Sequence, residues 1–508
     1  MHQFWTTACL ALSCAALTLA YPQPQPQQGE LSWQGLQQHP FGPLHRASHH
    51  RNSGSNEDDI DTYARFDQDK VFRVEVSSLE QLKSLEAIVE TLNLDLWSNL
   101  RMGNVDVRVT APMVAVFEAA TRHIPSTVMI PNLQNLVPTQ APAALLHNTQ
   151  NDWNFTDNSF WLNYHDLATL NNFTESMVQQ FPDLVKRVSI GQTYEGREVF
   201  GMSIHGYKSN KSDMDEVIDD NEQDQNQSLW SWLFGYSKQT RKPSKPKKHP
   251  KAVLLHAGQH AREWIGPAVV TYIAKELILG YHHNKRITKL VNQFEFVIVP
   301  VLNADGYAFT WEKNRMWRKN RQPTSIPFCI GIDPNRNWGY KWNTGGSSDN
   351  PCNEGYHGPE AFAALEPKMM SEFILKRKNV VAYIDFHAYS QLWMSPFGGD
   401  CKEVPKDDED LIEGGMGAAK ALHSVHGKRF VVGNICDVIY QASGGSIDWT
   451  YAEGKVKYSY GVELRDTGRY GFLLPESEIL PSSEETMAAV VYLANFIRMR
   501  EKQWGYMV

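Results

Sequence analysis

The stretch that most constrains this 508-residue chain is Lys251 to Gly266, KAVLLHAGQHAREWIG. Its apolar run, Ala252 to Leu255, is flanked by small and turn-forming residues and reads as a buried strand. The chain then delivers His260 and Glu263, three apart with Arg262 between them, before an apolar helical pattern starts at Trp264. A strand end that presents an imidazole beside a carboxylate is half of a metal site. A catalytic zinc needs three protein ligands and one open position, so a third ligand has to come from another strand end. His387 is the candidate, closing the apolar run Val380 to Phe386, 124 residues past Glu263 (387 − 263). Taken alone, H-x-x-E is a weak signal, and an isolated His at a strand end is commonly a hydrogen-bonded edge residue.

The surrounding patterns supply a frame for such a site. Phe294–Val301, Val380–Phe386 and Lys457–Leu464 read as buried strands, and Trp264–Leu279, Leu365–Lys376, Gly414–His426 and Ser482–Arg500 as helices. This alternation predicts a three-layer α/β domain over residues 154–508, with a central sheet and flanking helices. One segment, 208–250, breaks the pattern: an acidic run, DMDEVIDDNEQD, then LWSWLFGY, then a basic run, KQTRKPSKPKKHP. It reads as a charged surface-loop insertion, with docking to an anionic surface or proteolytic nicking as its functional alternatives.

Upstream, residues 61–138 read strand Lys70–Val76, helix Leu79–Leu92, strand Leu94–Leu100, strand Asn104–Thr110, helix Pro112–His123 and strand Thr127–Ile130. A β-α-β-β-α-β order is the ferredoxin-like split arrangement, so a small α+β propeptide domain is expected ahead of the larger one. Residues 139–153 form a connecting segment. No Lys or Arg occurs between His123 and Val185. A trypsin-like activating cut would therefore follow Arg122, or activation uses another specificity.

Residues 1–20 hold a short apolar core, Ala8–Leu19, and end Thr-Leu-Ala before Tyr21, the pattern of a secretory signal peptide. Residues 21–60, rich in Pro, Gln, His, Ser and Asn, read as a disordered linker. Cys9 and Cys14 leave with the signal, and Cys329, Cys352, Cys401 and Cys436 remain, enough for two disulfides in any of three pairings. Sequons at Asn154, Asn172, Asn210 and Asn226 fit a secreted glycoprotein. The expected address is extracellular, with the cell wall and the vacuole as alternatives. A net charge of −8 gives no reason to expect nucleic-acid binding, and after the signal no apolar run is long enough to span a membrane.

Six separated motifs, HAREW, EKNRMWRKNR, GIDPNRNWG, HAYSQL, IYQASGGSIDW and VELRDTGRYGFLLP, resemble in order and spacing the pancreatic-type zinc carboxypeptidases over about Phe160 to Arg498. The upstream domain resembles that family's activation domain more loosely. The resemblance implies one zinc ion (Zn2+) per chain, held by His260, Glu263 and His387, with Asp333 accepting a hydrogen bond from His260. It implies that Glu463 is the general base toward the attacking water and that Arg318 stabilises the oxyanion. Asn335, Arg336 and Tyr440 would hold the substrate's terminal carboxylate, and Arg262, Arg315, Tyr389 and Phe472 would line neighbouring subsites. It implies pairing of Cys329 with Cys352 and of Cys401 with Cys436. The partners implied are peptide or protein C-termini and the chain's own propeptide as intramolecular inhibitor, in a monomer.

The position that is acidic in family members cutting basic ends corresponds to Ile447, and Gly398, Ala442 and Gly445 keep the pocket small-walled. Gly461 stands where related enzymes carry a slightly larger residue. Hydrophobic C-terminal residues, bulky aromatics above all, are the expected substrates, with Asp437 near the wall as the contrary sign. Two rivals have different signatures. A fungal branch of the family, linked to cell-wall assembly, keeps the zinc ligands but carries lysine in place of the catalytic glutamate; here the residue in ELRDTG is Glu463. A zinc endopeptidase would need H-E-x-x-H, which is absent.

Overall fold

The computed structural model describes residues 63–98, 100–137, 157–206 and 250–503, all of them within the unit Asp61–Val508. The signal, the linker, the connecting segment, the insertion except Pro250, and the sequons at Asn154, Asn210 and Asn226 lie outside the described residues. No helix among the described residues is long and apolar enough to cross a membrane.

The upstream domain has β1 (Lys70–Val76), α1 (Leu79–Leu92), β2 (Asp95–Leu96), β3 (Gly103–Val109), α2 (Val114–Ala120) and β4 (Ser126–Ile130). Its sheet runs β2-β3-β1-β4, antiparallel throughout, the expected split arrangement. Phe72, Val74 and Val76 alternate inward along β1 and meet Leu85 and Val89 of α1, one turn apart. Two elements are shorter than the sequence suggests. The Leu94–Leu100 strand shrinks to β2 because the amides of both Trp97 and Ser98 donate to the one carbonyl of Asp106, which ends the ladder. The Pro112–His123 helix becomes a 3₁₀ turn, Ala111–Met113, followed by α2, which stops where the Thr121 hydroxyl bonds back to the Phe117 carbonyl.

The large domain contains α3 (Leu167–Gln180), β5 (Val185–Gln192), β6 (Glu198–Ile204), β7 (Lys251–Ala257), α4 (Ile265–Gly280), α5 (Lys285–Gln293), β8 (Phe294–Val299), α6 (Ala304–Glu312), α7 (Leu365–Arg377), β9 (Val380–His387), β10 (Leu392–Ser395), α8 (Asp408–His426), β11 (Val431–Asn434), α9 (Ile435–Val438), α10 (Ser446–Ala452), β12 (Tyr458–Glu463) and α11 (Ile479–Gln503). Eight strands order as β11-β10-β12-β9-β7-β8-β6-β5, with β12, β9, β7 and β8 parallel at the centre, β10 antiparallel to β12 and parallel to β11, and β6 and β5 added antiparallel on the other side. Alternation along β7 explains the three layers. Val253, Leu255 and Ala257 point into a core with α4, α8 and α11, whereas Ala252 and Leu254 point into a second core with α7 and α10.

Helix α8 starts six residues earlier than the apolar pattern suggests. Asp408, Glu409 and Asp410 occupy its first turn, where negative charge is favoured. The glycines that mask the pattern have a packing reason: a Cβ at Gly417 would lie 2.1 Å from the Tyr492 ring of α11. The central parallel strands all point their carboxyl ends to one edge, where functional residues of open α/β sheets gather.

Candidate active site

His387 is the last residue of β9, and Glu463, the last of β12, is its register partner across the parallel pair. His260 and Glu263 follow β7, the neighbour of β9 on the other side. Three adjacent strand ends thus converge. Glu263 Oε1 lies 2.8 Å from His260 Nδ1, Glu263 Oε2 lies 3.0 Å from His387 Nδ1, and the two Nδ1 atoms are 3.1 Å apart. All three residues are buried.

This donor set fits a metal ion. His260 Nε2 lies 3.1 Å from Asp333 Oδ1 and His387 Nε2 lies 2.9 Å from Asp385 Oδ2. With both Nε2 protons facing carboxylates, both Nδ1 atoms turn lone pairs toward each other and toward Glu263, an arrangement that a cation resolves. Two imidazoles and a carboxylate are a zinc donor set. Burial by itself would raise Glu263, but His260 and His387 outweigh it and hold the carboxyl well below its usual range.

Arg318 donates through Nε and Nη2 to Asp333 Oδ2 at 3.2 and 2.8 Å, and its Nη1 stays 3.8 Å from Glu263 Oε1. Burial opposes ionisation of Asp333, yet Arg318 and His260 keep it well below the carboxylate range. The Glu463 carboxyl behaves in the opposite way. Burial above all, opposed by His387 and reinforced by Glu263, leaves it pushed up to about 8. Its Oε2 is buried with no hydrogen-bond partner among the described residues. A carboxyl so placed can hold or release a proton near neutral pH.

Beyond the candidate metal ligands, Arg336 donates to Gly346 O, Asn335 O and the Tyr440 hydroxyl, each at 3.0 Å. Three of its five N–H groups are spent, leaving one on each terminal nitrogen. Asn335 Oδ1 accepts from the Ser446 amide at 2.8 Å, which ties this corner to α10. Ile447, the next residue, is buried, and a Cβ at Gly461 would stand 3.5 Å from Ile447 Cδ1 and 3.7 Å from Met394 Cε. The glycine therefore leaves space that a side chain would fill. Asp437 is exposed on α9 and does not face this wall with the buried residues. Disulfides join Cys329 to Cys352 and Cys401 to Cys436, with Cα separations of 4.7 and 5.4 Å. The second anchors the loop after Gly399 to α9.

On the opposite side the upstream domain covers the cleft. Arg262, fully buried, donates from Nη1 to Asp95 Oδ1 and Oδ2 at 3.0 and 2.9 Å and stacks over the Phe472 ring at 4.1 Å. The Tyr389 hydroxyl donates to Asp106 Oδ2 at 2.9 Å, and Trp97 meets Phe472 edge-on at 5.1 Å. Trp97 can seat there because Gly471, at φ +58°, has no Cβ; one would come within 3.0 Å of the indole. Arg315 lies behind this rim, donating at 2.8 Å to the carbonyls of Arg262 and of Phe472 and stacked on Trp264. Sequence reasoning missed Asp95, Trp97 and Asp106, and also Asp385. Only the last left a local signal, a charge inside the apolar run VVAYIDFH.

Comparison with known proteins agrees with this geometry. Residues 170–489 match the zinc carboxypeptidase family, and residues 72–140 match the carboxypeptidase activation peptide. Carboxypeptidase A2 of Mus musculus is 36% identical over 436 residues, covering 85% of this chain and 94% of the relative. A protein of Ajellomyces dermatitidis named inactive metallocarboxypeptidase ECM14 is 32% identical over 469 residues, covering 85% and 73%. The crystal structure of thrombin activatable fibrinolysis inhibitor superposes with TM-score 0.68 at 30% identity, covering 85% of this chain and 98% of that one. Carboxypeptidase A of Helicoverpa armigera shares the fold, with TM-score 0.69 at 24% identity over 85% and 98% of the two chains. With a candidate metal-binding set at three converging strand ends and a ferredoxin-like domain laid across the cleft, the chain belongs to the zinc carboxypeptidase family and carries the activation peptide of that family.

Proposed function

We propose that this chain is a secreted zymogen whose mature form hydrolyses the C-terminal peptide bond of peptides, with preference for hydrophobic and aromatic terminal residues. The observation that carries the reading is Glu463, a carboxylate with a free buried oxygen, in register with His387 and beside the ligand cluster. His260, Glu263 and His387 would hold a zinc ion, which when bound would supply Lewis-acid polarisation of the scissile carbonyl and a lowered pKa for the attacking water. Glu463 takes the proton of that water and returns it to the leaving amine. Arg318, braced by Asp333, keeps a guanidinium edge for the charge that develops on the carbonyl oxygen. The remaining N–H pair of Arg336, with Asn335 and Tyr440, receives the terminal carboxylate in two parallel hydrogen bonds. A fixed cation beyond the scissile bond rewards a chain end and gives nothing to an internal peptide.

The apolar wall of Ile447, Met394 and Gly461 supports the preference for large apolar ends. The two disulfides fit an oxidising compartment. A second reading, a zinc-binding protein without activity, takes its support from fungal relatives that are named inactive.

The test is turnover of peptides with free and amidated C-termini after verified removal of residues 1–138. Turnover of free ends alone, abolished by a chelator and lowered at least about 10⁴-fold by Glu463→Gln, is the expected result. Absence of turnover in the zinc-loaded mature chain selects the second reading.

A further inference from the structure

Asp385 has no part in the steps above, yet it is completely buried at the centre of the sheet. It stands two residues before His387 in β9, so both side chains project from the same face of the strand. Its Oδ2 accepts hydrogen bonds from Gln259 Nε2 at 2.8 Å and from Ser446 Oγ at 2.6 Å and makes a close 2.9 Å contact with His387 Nε2, which also has Asn335 Nδ2 at 3.3 Å. Gln259 precedes the candidate ligand His260, and its side-chain Oε1 accepts from Trp338 Nε1 at 3.1 Å, which fixes the amide's orientation. Ser446 opens α10 and precedes Ile447 of the apolar wall.

The two carboxylates behind the ligands differ in their company. Asp333 divides itself between His260 and the charged Arg318. Asp385 has no Lys or Arg partner among the described residues; beside its donors only His256 approaches, with Nε2 3.4 Å from Oδ1. Its contacts all run to the segments that carry the two imidazoles or to the helix that carries the pocket.

We infer that Asp385 is a positioning residue that fixes His387 in the tautomer offering Nδ1 to zinc and, through Ser446, couples that ligand to the α10 wall of the specificity pocket. A packed carboxylate of no further consequence would contribute to stability alone. A carboxylate that orients a ligand imidazole also sets the affinity for the metal, by about 10- to 100-fold in comparable sites. The coupling to α10 predicts that the Ser446 contact affects the choice of terminal residue more than it affects the metal.

The inference rests on the zinc reading of His260, Glu263 and His387, so the experiment measures metal first. Zinc dissociation constants are determined on the full chain by chelator competition for the unsubstituted protein and for Asp385→Asn, which keeps the shape of the side chain. The zinc-free melting temperature of each is recorded alongside. The expected result is a 10- to 100-fold weaker zinc affinity in Asp385→Asn, beyond any change in the zinc-free melting temperature. Unchanged zinc affinity with a lower melting temperature overturns the inference and leaves the zinc reading intact. Failure of the unsubstituted chain to bind zinc overturns both.

Ser446→Ala decides the pocket coupling, and decides the matter alone should Asp385→Asn not fold. In the mature chain the ratio of kcat/KM for Phe-ending over Ala-ending peptides is expected to fall about 3- to 10-fold, as loss of roughly one buried hydrogen bond would produce. Zinc affinity is expected to change less than that ratio. An unchanged ratio overturns the coupling.

Discussion

The two ends of the cleft are treated differently. On one side of the ligand cluster Arg262, Tyr389 and Phe472 are engaged by Asp95, Asp106 and Trp97 of the activation domain. On the other side Arg336 and Tyr440 bond each other and neighbours of their own domain. The covering domain therefore obstructs the side where the body of a peptide would lie. It does not imitate the terminal carboxylate that the other end is proposed to read. On this reading activation uncovers a finished site and has nothing to rebuild at the Arg336 end.

The difference can be tested first at the open end. Arg336→Ala in the mature chain should lower kcat/KM for free-acid peptides about 10²- to 10³-fold, as two charge-assisted hydrogen bonds would, and should shrink the free-acid over amide preference. A preference that survives would place the end-reader elsewhere and break the comparison.

At the covered end the effect should be smaller and opposite in sign. Asp95→Asn removes the anion from Arg262, and turnover by the uncleaved chain should rise about 10-fold on the strength of one charged contact. Measured beside it, the mature Asp95-free product should be unchanged. If the uncleaved chain gains nothing, the cover is held mainly by Trp97 and by backbone contacts such as Ala64 N to Lys313 O at 2.7 Å.

The depth of the apolar wall gives a finer contrast. Gly461→Thr would fill the space between Ile447 and Met394, so kcat/KM for Trp-ending peptides should drop about 10-fold, within the usual worth of a methylene or two, while Leu-ending peptides change little. An equal loss on both would mean that Gly461 does not set depth.

The smallest effect concerns pH. Asp448, next to Ile447, accepts from the Gly398 and Gly399 amides, and burial raises it to about 7 against their opposing influence. Its folded pKa lies above the unfolded value of about 3.9. The relative stability it gives is complete below that value and is lost as pH rises toward 7, because only the folded state pays for a buried charge. Asp448→Asn should flatten this part of the melting-temperature profile. An unaltered slope between those values would show that Asp448 is already ionised in the fold.

Much of the centre of the molecule is legible from local pattern. Ala252–Leu255 and Val380–Phe386 are apolar runs of strand length; His387 directly follows the second, and His260 and Glu263 come a short loop after the first. The edges are less legible. Strand β5 buries little besides Val185, and β10 has only four residues, so neither shows a period. The shared use of Asp95 and Arg262 is invisible in sequence for another reason: the residues are 167 positions apart, and Asp95 looks like an ordinary surface charge. Asp385 was readable in principle, since an acid inside an apolar strand must find partners when buried.

The position of Glu463 opposite His387 has one further consequence. The backbone of residue 463 is held by the ladder to β9 and β10, while its side-chain oxygen Oε2 bonds nothing among the described residues. On the proposed reading, the reactive group is thus detachable from the architecture. A single-codon change at this position would then silence the proposed turnover while the sheet, the candidate ligand cluster and the cover over the cleft stayed in place. For such a chain, loss of catalysis would leave no trace in expression, solubility or metal content.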